Sequence, residues 1–195
     1  MHRYFIIYKP YLVLSQFSPQ AGKQTLANFF KVPKDVYPVG RLDNDSEGLL
    51  ILTNDITLNH RLLHPCFAHE REYWVQVDGN FTSEALSNLH KGVTININGI
   101  MYATKPCKAT LLTTEPIVPI RTPSIRFRKD IPATWLQLVL TEGKNRQVRK
   151  MTATVGFPTL RLIRYRIQNI TLGNMQPGNI IELSKASIYN NLFNE

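Results

Sequence analysis

Residues 39–55 read VGRLDNDSEGLLILTND. An apolar approach, Tyr37-Pro38-Val39, reaches Gly40, and a charged turn runs from Arg41 to Gly48. An uninterrupted apolar run follows, Leu49-Leu50-Ile51-Leu52, closed by Thr53-Asn54-Asp55. A short apolar run between turn residues predicts a buried strand. A charged loop ahead of such a strand sets polar side chains at the rim of a core, where functional residues often sit. The pattern leaves two readings of the loop open. It is either a solvated acidic turn, or it presents one catalytic carboxylate, Asp43, beside a basic neighbour, Arg41. A calcium loop is excluded. Asp43, Asp45, Glu47 and Gly48 imitate its start, but Asn54 stands where a bidentate Glu is needed, and the residues after Gly48 are strand-like.

Lys and Arg together number 23 against 14 Asp and Glu, a net charge of +9 over 195 residues. Such an excess predicts a polyanionic partner, nucleic acid ahead of an anionic membrane. No apolar stretch is long enough to span a bilayer, and no basic amphipathic helix is long enough to lie on one. The start, MHRYFIIYKP, is too short an apolar stretch for a signal peptide. Cys66 and Cys107 stand far apart, without the CxxC or His spacing of a zinc site, so a reduced, cytoplasmic protein without a metal is expected. A chain of this length buries a substantial core, and one domain with room for two lobes is the expectation.

Arg3 to Tyr8 is rich in β-formers and predicts an interior strand ended by Pro10. Lys9 at its end is either a solubilising charge or a phosphate contact. Residues 22–31, GKQTLANFFK, predict a short amphipathic helix that buries Leu26, Phe29 and Phe30. ITLNHRLLHP, residues 56–65, predicts a helix capped by Asn54 or Asp55 and stopped by Pro65. His60 and His64 share a face of it, but no third ligand accompanies them, so they read as packing and hydrogen-bonding residues. Residues 71–78 alternate. Tyr73, Val75 and Val77 face one way and Trp74, Gln76 and Asp78 the other, so Tyr73 should be at least partly buried. Phe81 to Lys91 predicts a helix ended by Gly92, and Asn98-Gly99 a hairpin turn.

Residues 113–133 contain Pro116, Pro119, Pro123 and Pro132, which forbid a long helix or a central strand. Arg121, Arg126, Arg128 and Lys129 interleave with Phe127 there. The segment is either an irregular connection with a solvated basic face or a loop lying on an RNA backbone, with Phe127 free to stack. Thr134 to Leu140 predicts a strand with Leu136, Leu138 and Leu140 on one side. Asn145 to Val155 predicts a helix closed by Gly156. It carries Arg146, Arg149 and Lys150. Arg149 neighbours Val148, Thr152 and Ala153, which predicts part burial and so a need for a carboxylate partner. The tail has strand-like runs around Gly173 and Gly178, and residues after Lys185 are expected to fray.

Four ordered motifs along nearly the whole chain resemble those of the pseudouridine synthases. The branch resembled is the one typified by a small-subunit ribosomal RNA enzyme and its large-subunit relatives. Tyr8-Lys9-Pro10 resembles the opening motif, and GRLD with its acidic-Gly turn and LLILTND resembles the signature. His64-Pro65 with Glu70-Arg71-Glu72-Tyr73-Trp74-Val75 resembles the middle motif. Glu142-Gly143-Lys144-Asn145-Arg146-Gln147-Val148-Arg149-Lys150-Met151 resembles the third, and Gly156-Phe157-Pro158 with Leu160-Arg161-Leu162 completes the order.

The resemblance implies an α+β fold: a curved, mixed, largely antiparallel sheet with flanking helices and a central RNA-binding cleft. It implies isomerisation of a uridine in ribosomal RNA, with large-subunit RNA expected, and needs no cofactor or metal. Asp43 would be the catalytic carboxylate, Arg149 would hold it, and Tyr73 would pack on the uracil. Arg41 would fill the space left by a flipped base. Lys9, Lys144, Asn145, Arg146 and Lys150 would contact RNA, and their charges predict salt-sensitive binding. Many members of the branch carry a small RNA-binding domain ahead of the core. The opening motif here begins near residue 9, so residues 1–195 are expected to form a single catalytic domain, monomeric and without an obligatory protein partner. The rival from another class is a noncatalytic RNA-binding ribosome-assembly factor, which has no need of Asp43, Tyr73 and Arg149 together.

Overall fold

A computed structural model describes residues 1–125 and 132–195. In chain order the strands begin with β1 (Tyr4–Lys9), β2 (Val13–Leu14), β3 (Gln24–Thr25), β4 (Tyr37–Pro38) and β5 (Glu47–Thr53), before helix α1 (Ile56–Leu63). Then come β6 (Arg71–Asp78), α2 (Ser83–Lys91), β7 (Thr94–Ile97), β8 (Ile100–Ala103), β9 (Lys108–Leu111) and β10 (Ala133–Leu140). The chain closes with α3 (Gln147–Thr154), β11 (Thr159–Ile167), β12 (Ile170–Thr171), β13 (Ile180–Leu183) and α4 (Lys185–Phe193). The residues divide into two compact units, Met1–His69 with Ile163–Glu195, and Glu70–Leu162.

The first unit is built on β5. β1 runs antiparallel along one side of it, from Tyr4 opposite Thr53 to Lys9 opposite Gly48. On the other side β11 pairs parallel, Ile163 with Glu47 and Arg164 with Gly48. β13 adds to the free side of β1. All seven residues of β5 are buried, which explains why its sequence reads as a continuous apolar run rather than an alternating one. One layer of core is formed by Phe5, Ile7, Val13, Leu26, Phe30, Val36, Leu50 and Leu52. Each such side chain contributes about 1.5–3 kcal/mol on burial.

Asp55 caps α1 as expected, its carboxylate accepting from the amides of Thr57 and Leu58. It also accepts from the Tyr4 hydroxyl at 2.8 Å and the Tyr189 hydroxyl at 2.7 Å. Tyr189 lies on α4, which corrects the expectation of a fraying end. Ser184 caps this helix, and Ile188 and Leu192, one turn apart, are buried. Tertiary contact here outweighs a weak local pattern. Residues 22–31 are the second correction. In place of a helix, β3 is followed there by a single 3-10 turn, Leu26–Asn28, started by a capping box between Thr25 and Asn28. Leu26 and Phe30 are buried, while Phe29 is exposed.

In the second unit β10 lies between β6 and β9, antiparallel to both, with Tyr73 opposite Leu138 and Leu138 opposite Ala109. Val75, Val77, Leu136, Leu138 and Leu140 form a core with Val148 and Met151 of α3, and Tyr73 packs on it half-buried. Thr82 caps α2, and Gly92 ends it with φ of 88°. A side chain at Gly92 would meet the Thr104 carbonyl at 2.4 Å. Asn98 and Gly99 take φ of 53° and 90° between β7 and β8, the hairpin that their identities predict. Residues 113–125 form no regular element. Arg161 reaches this stretch and donates to the Pro119 carbonyl at 2.8 Å. Arg126, Phe127, Arg128 and Lys129 lie outside the described residues.

Candidate active site

The Asp43 loop enters β5 over a buried charged group. Glu47, the first residue of the strand, is 1% exposed and accepts from the Tyr8 hydroxyl at 3.3 Å. Arg164 is buried as well and donates from Nε to the Leu49 carbonyl at 2.8 Å. Gly48, between Lys9 and Arg164 in the sheet, has φ of 113°, and a Cβ on it would lie 2.4 Å from the Arg164 carbonyl oxygen. Only glycine fits where the loop becomes strand.

Lys9 corrects an expectation. It is wholly buried, and its Nζ donates to the carbonyls of Pro10 at 2.9 Å and Val13 at 2.6 Å. It is therefore neither a solubilising charge nor a phosphate contact. Burial pushes its ammonium down to about 7, opposed first by the Glu47 carboxylate and assisted by the Arg164 charge. Asp43 and Asp45 add further negative potential. The lysine braces the turn of residues 10–13 from inside.

Asp43 is half-buried and Arg41 is exposed, with the buried Leu42 between them. The loop's backbone is fixed at several points. Ser46 donates its amide to the Asp43 carbonyl at 3.1 Å, and Leu12 donates its amide to the Asn44 carbonyl at 2.8 Å. Leu42 exchanges both its backbone groups with the Ser15 hydroxyl.

The other expected site residues belong to the second unit. Tyr73 sits on β6. Arg149, on α3, is half-buried and donates from Nη1 to the Thr159 carbonyl at 3.3 Å. Lys150 is half-buried, whereas Lys144, Asn145 and Arg146 are exposed. The helix starts at Gln147 rather than Asn145, because Arg146 adopts a left-handed φ of 52°. The Lys144 ammonium lies 4.8 Å from the centre of the Tyr102 ring.

Sequence reasoning missed the residue that organises this basic segment. Glu142 is buried and accepts from the Tyr102 hydroxyl at 2.6 Å, the Gln147 amide group at 2.6 Å and the Lys105 backbone amide at 2.9 Å. Gln147 in turn accepts from the Lys144 amide at 2.9 Å. The bond to Glu142 holds the Tyr102 hydroxyl above its ordinary value, with burial acting in the same direction. The available signal was a lone carboxylate directly before glycine in an otherwise basic stretch.

The rings of His60 and His64 lie tilted to each other with centres 5.3 Å apart, and His64 Nδ1 lies 2.8 Å from the Cys66 sulfur. Among the described residues no three His, Cys, Asp or Glu side chains are grouped to hold a metal.

Comparison with known proteins identifies the class to which this fold and loop belong. Residues 3–154 match the family model described as RNA pseudouridylate synthase. The chain belongs to that family, whose members isomerise uridine in RNA. A relative from Vibrio parahaemolyticus, named ribosomal large subunit pseudouridine synthase E, is 50% identical over 173 residues, covering 89% of this chain and 70% of its own. A protein of the same name from Xanthomonas axonopodis pv. citri is 49% identical over 174 residues, 88% of this chain and 89% of its own. A crystal structure of a pseudouridylate synthase superposes with a TM-score of 0.77 at 24% identity, over 96% of this chain and 73% of that one. This likeness establishes the α+β fold that the motifs imply. No helix among the described residues is long and apolar enough to cross a membrane.

Proposed function

We propose that this protein converts a uridine of large-subunit ribosomal RNA to pseudouridine, with Asp43 as the catalytic carboxylate. The observation that carries the choice of RNA is the name shared by relatives 47–50% identical over most of the chain. In the reaction the C1′–N1 bond breaks, the uracil turns, and a C1′–C5 bond forms. C5 loses a proton and N1 gains one, so no redox change or hydrolysis occurs. Asp43 acts on the ribose or the base, and Arg149 orients it, a guanidinium being suited to donate to a carboxylate. Tyr73 packs on the uracil. Arg41, exposed two residues before Asp43, fills the place of the flipped base. Unpairing that base costs on the order of a few kcal/mol. Phosphate contacts from Lys144, Arg146 and Lys150, with Asn145 beside them, offset it. The protein acts in the cytoplasm as a monomer, without an obligatory protein partner.

The test is to incubate the protein with unmodified transcripts of large- and small-subunit ribosomal RNA and map pseudouridine by carbodiimide-blocked primer extension. A single new stop in the large-subunit transcript is expected. Modification confined to the small-subunit transcript would overturn the choice of RNA, and binding without any new stop would favour the assembly-factor reading.

A further inference from the structure

The loop bearing Asp43 is fastened on both flanks to one short segment, residues 9–15. Ser15 is 7% exposed, and its hydroxyl does two things at once. It donates to the Leu42 carbonyl at 2.7 Å and accepts from the Leu42 amide at 3.0 Å. The Leu42 side chain is itself buried, so the residue before Asp43 is held by backbone and side chain together. On the far flank, the Asn44 carbonyl accepts from the Leu12 amide. Leu12 pays for that bond with a left-handed φ of 60° while its side chain is 41% exposed. A non-glycine residue there is strained, and no burial compensates it. What the conformation delivers is the direction of the amide. Lys9, bonded to the carbonyls of Pro10 and Val13, fixes the turn that presents both groups.

We propose that Ser15 is a positioning residue for the reaction: through Leu42 it fixes the backbone from which the Asp43 carboxylate projects. The inference rests on the reading of Asp43 as the catalytic carboxylate. In a buried setting both hydrogen bonds of the hydroxyl are strong. Catalytic groups tolerate displacement of only about 0.5 Å, and a misplacement of about 1 Å costs on the order of 100-fold in rate. Alanine at position 15 leaves two backbone groups of Leu42 without their partner, so the loop must find another arrangement.

The experiment is single-turnover tritium release from ribosomal RNA labelled at uridine C5, with saturating enzyme in excess. Wild type, Ser15→Ala, Ser15→Thr and Asp43→Asn are compared, alongside RNA dissociation constants and melting temperatures. Under these conditions the rate constant does not depend on the folded fraction, so a merely structural role leaves it unmoved. Ser15→Ala is expected to lower the rate constant about 10- to 100-fold with RNA affinity within about twofold. Ser15→Thr, which keeps the hydroxyl, is expected to recover most of the rate. A wild-type rate constant in Ser15→Ala overturns the proposal, whatever happens to its melting temperature. If Ser15→Ala does not fold, Ser15→Cys replaces it: a reduced rate supports the clamp and an undiminished one overturns it. Asp43→Asn isolates the underlying reading, because release by that variant defeats the role of Asp43 independently of Ser15.

Discussion

Gly48 and Arg164 approach so closely that a Cβ on the glycine would lie 2.4 Å from the arginine's carbonyl oxygen and 2.7 Å from its amide nitrogen. These obstacles are backbone, so they cannot swing aside as a long side chain would. Alanine at position 48 must part β5 from β11 where the Asp43 loop ends, and it must also adopt a φ of 113°. Gly48→Ala is expected to lose about 2–4 kcal/mol of stability, measured by urea denaturation. A loss below about 0.5 kcal/mol would show that the two strands can separate freely.

Lys9 predicts a rise of stability with pH. Burial pushes its ammonium down to about 7 in the folded protein, whereas an unfolded lysine titrates near 10.4. Between these values the unfolded chain holds a proton that the folded chain lacks, so raising the pH favours folding. The urea midpoint of wild type relative to Lys9→Met should climb from pH 6.5 to 8.5 (roughly the lower half of this window). Higher pH is avoided because burial pushes the Cys107 thiol up to about 11, and stability from that group is lost as pH rises past the ordinary thiol range. At every pH Lys9→Met is expected to be the less stable, since a buried carbonyl and a part-buried one lose their donor at about 1–3 kcal/mol for the buried one. A constant difference across the range would contradict the burial argument.

Asp55 ties α4 to α1. Burial raises its carboxyl, but hydrogen bonds from Tyr189, the Leu58 amide and Tyr4 outweigh that and hold it below the ordinary range. Tyr189→Phe should cost about 1 kcal/mol at pH 7. The loss should shrink in acid, because stability from a depressed carboxyl is present above its unfolded value, about 3.9, and fades as pH falls through its folded one. Thermal melts at pH 7 and near pH 3 of both proteins measure this. An equal loss at both would place the effect in packing rather than in the charged carboxylate.

These residues also mark what could be read before any coordinates. The strands β5, β6 and β10 and the helix α1 follow from period and capping, because burial on one or both faces leaves an unambiguous trace in side-chain order. Tyr73 falls on the expected face of β6 for the same reason. Residues 22–31 misled because Phe29 and Phe30 count equally in an apolar pattern, yet only Phe30 is buried. α4 was invisible because Asn190 and Asn191 interrupt its sequence, and its stability comes from Ser184, from Ile188 and Leu192, and from a tyrosine reaching Asp55. Lys9 was misread because lysine is almost always at the surface. Its place at the end of YFIIYK, followed directly by a proline turn with carbonyls to satisfy, was the one hint.

Lys144, Arg146 and Lys150 give a prediction about salt. If each neutralises one phosphate, replacing all three by alanine reduces the slope of log affinity against log salt by about 2. The unmutated protein should lose affinity steeply between low and moderate salt. An unchanged slope in the triple variant would move the RNA path away from the start of α3.

The proposed reaction gives the isomerisation to Asp43. It is tested most directly by tritium release from C5-labelled, previously unmodified ribosomal RNA, comparing wild type with Asp43→Asn at matched RNA occupancy. Asparagine keeps the shape and removes the charge. Release by wild type is expected, and none above background by the variant, with both proteins folded and bound. Release by Asp43→Asn at the wild-type rate would contradict it and return the acidic loop to the role of a solvated turn.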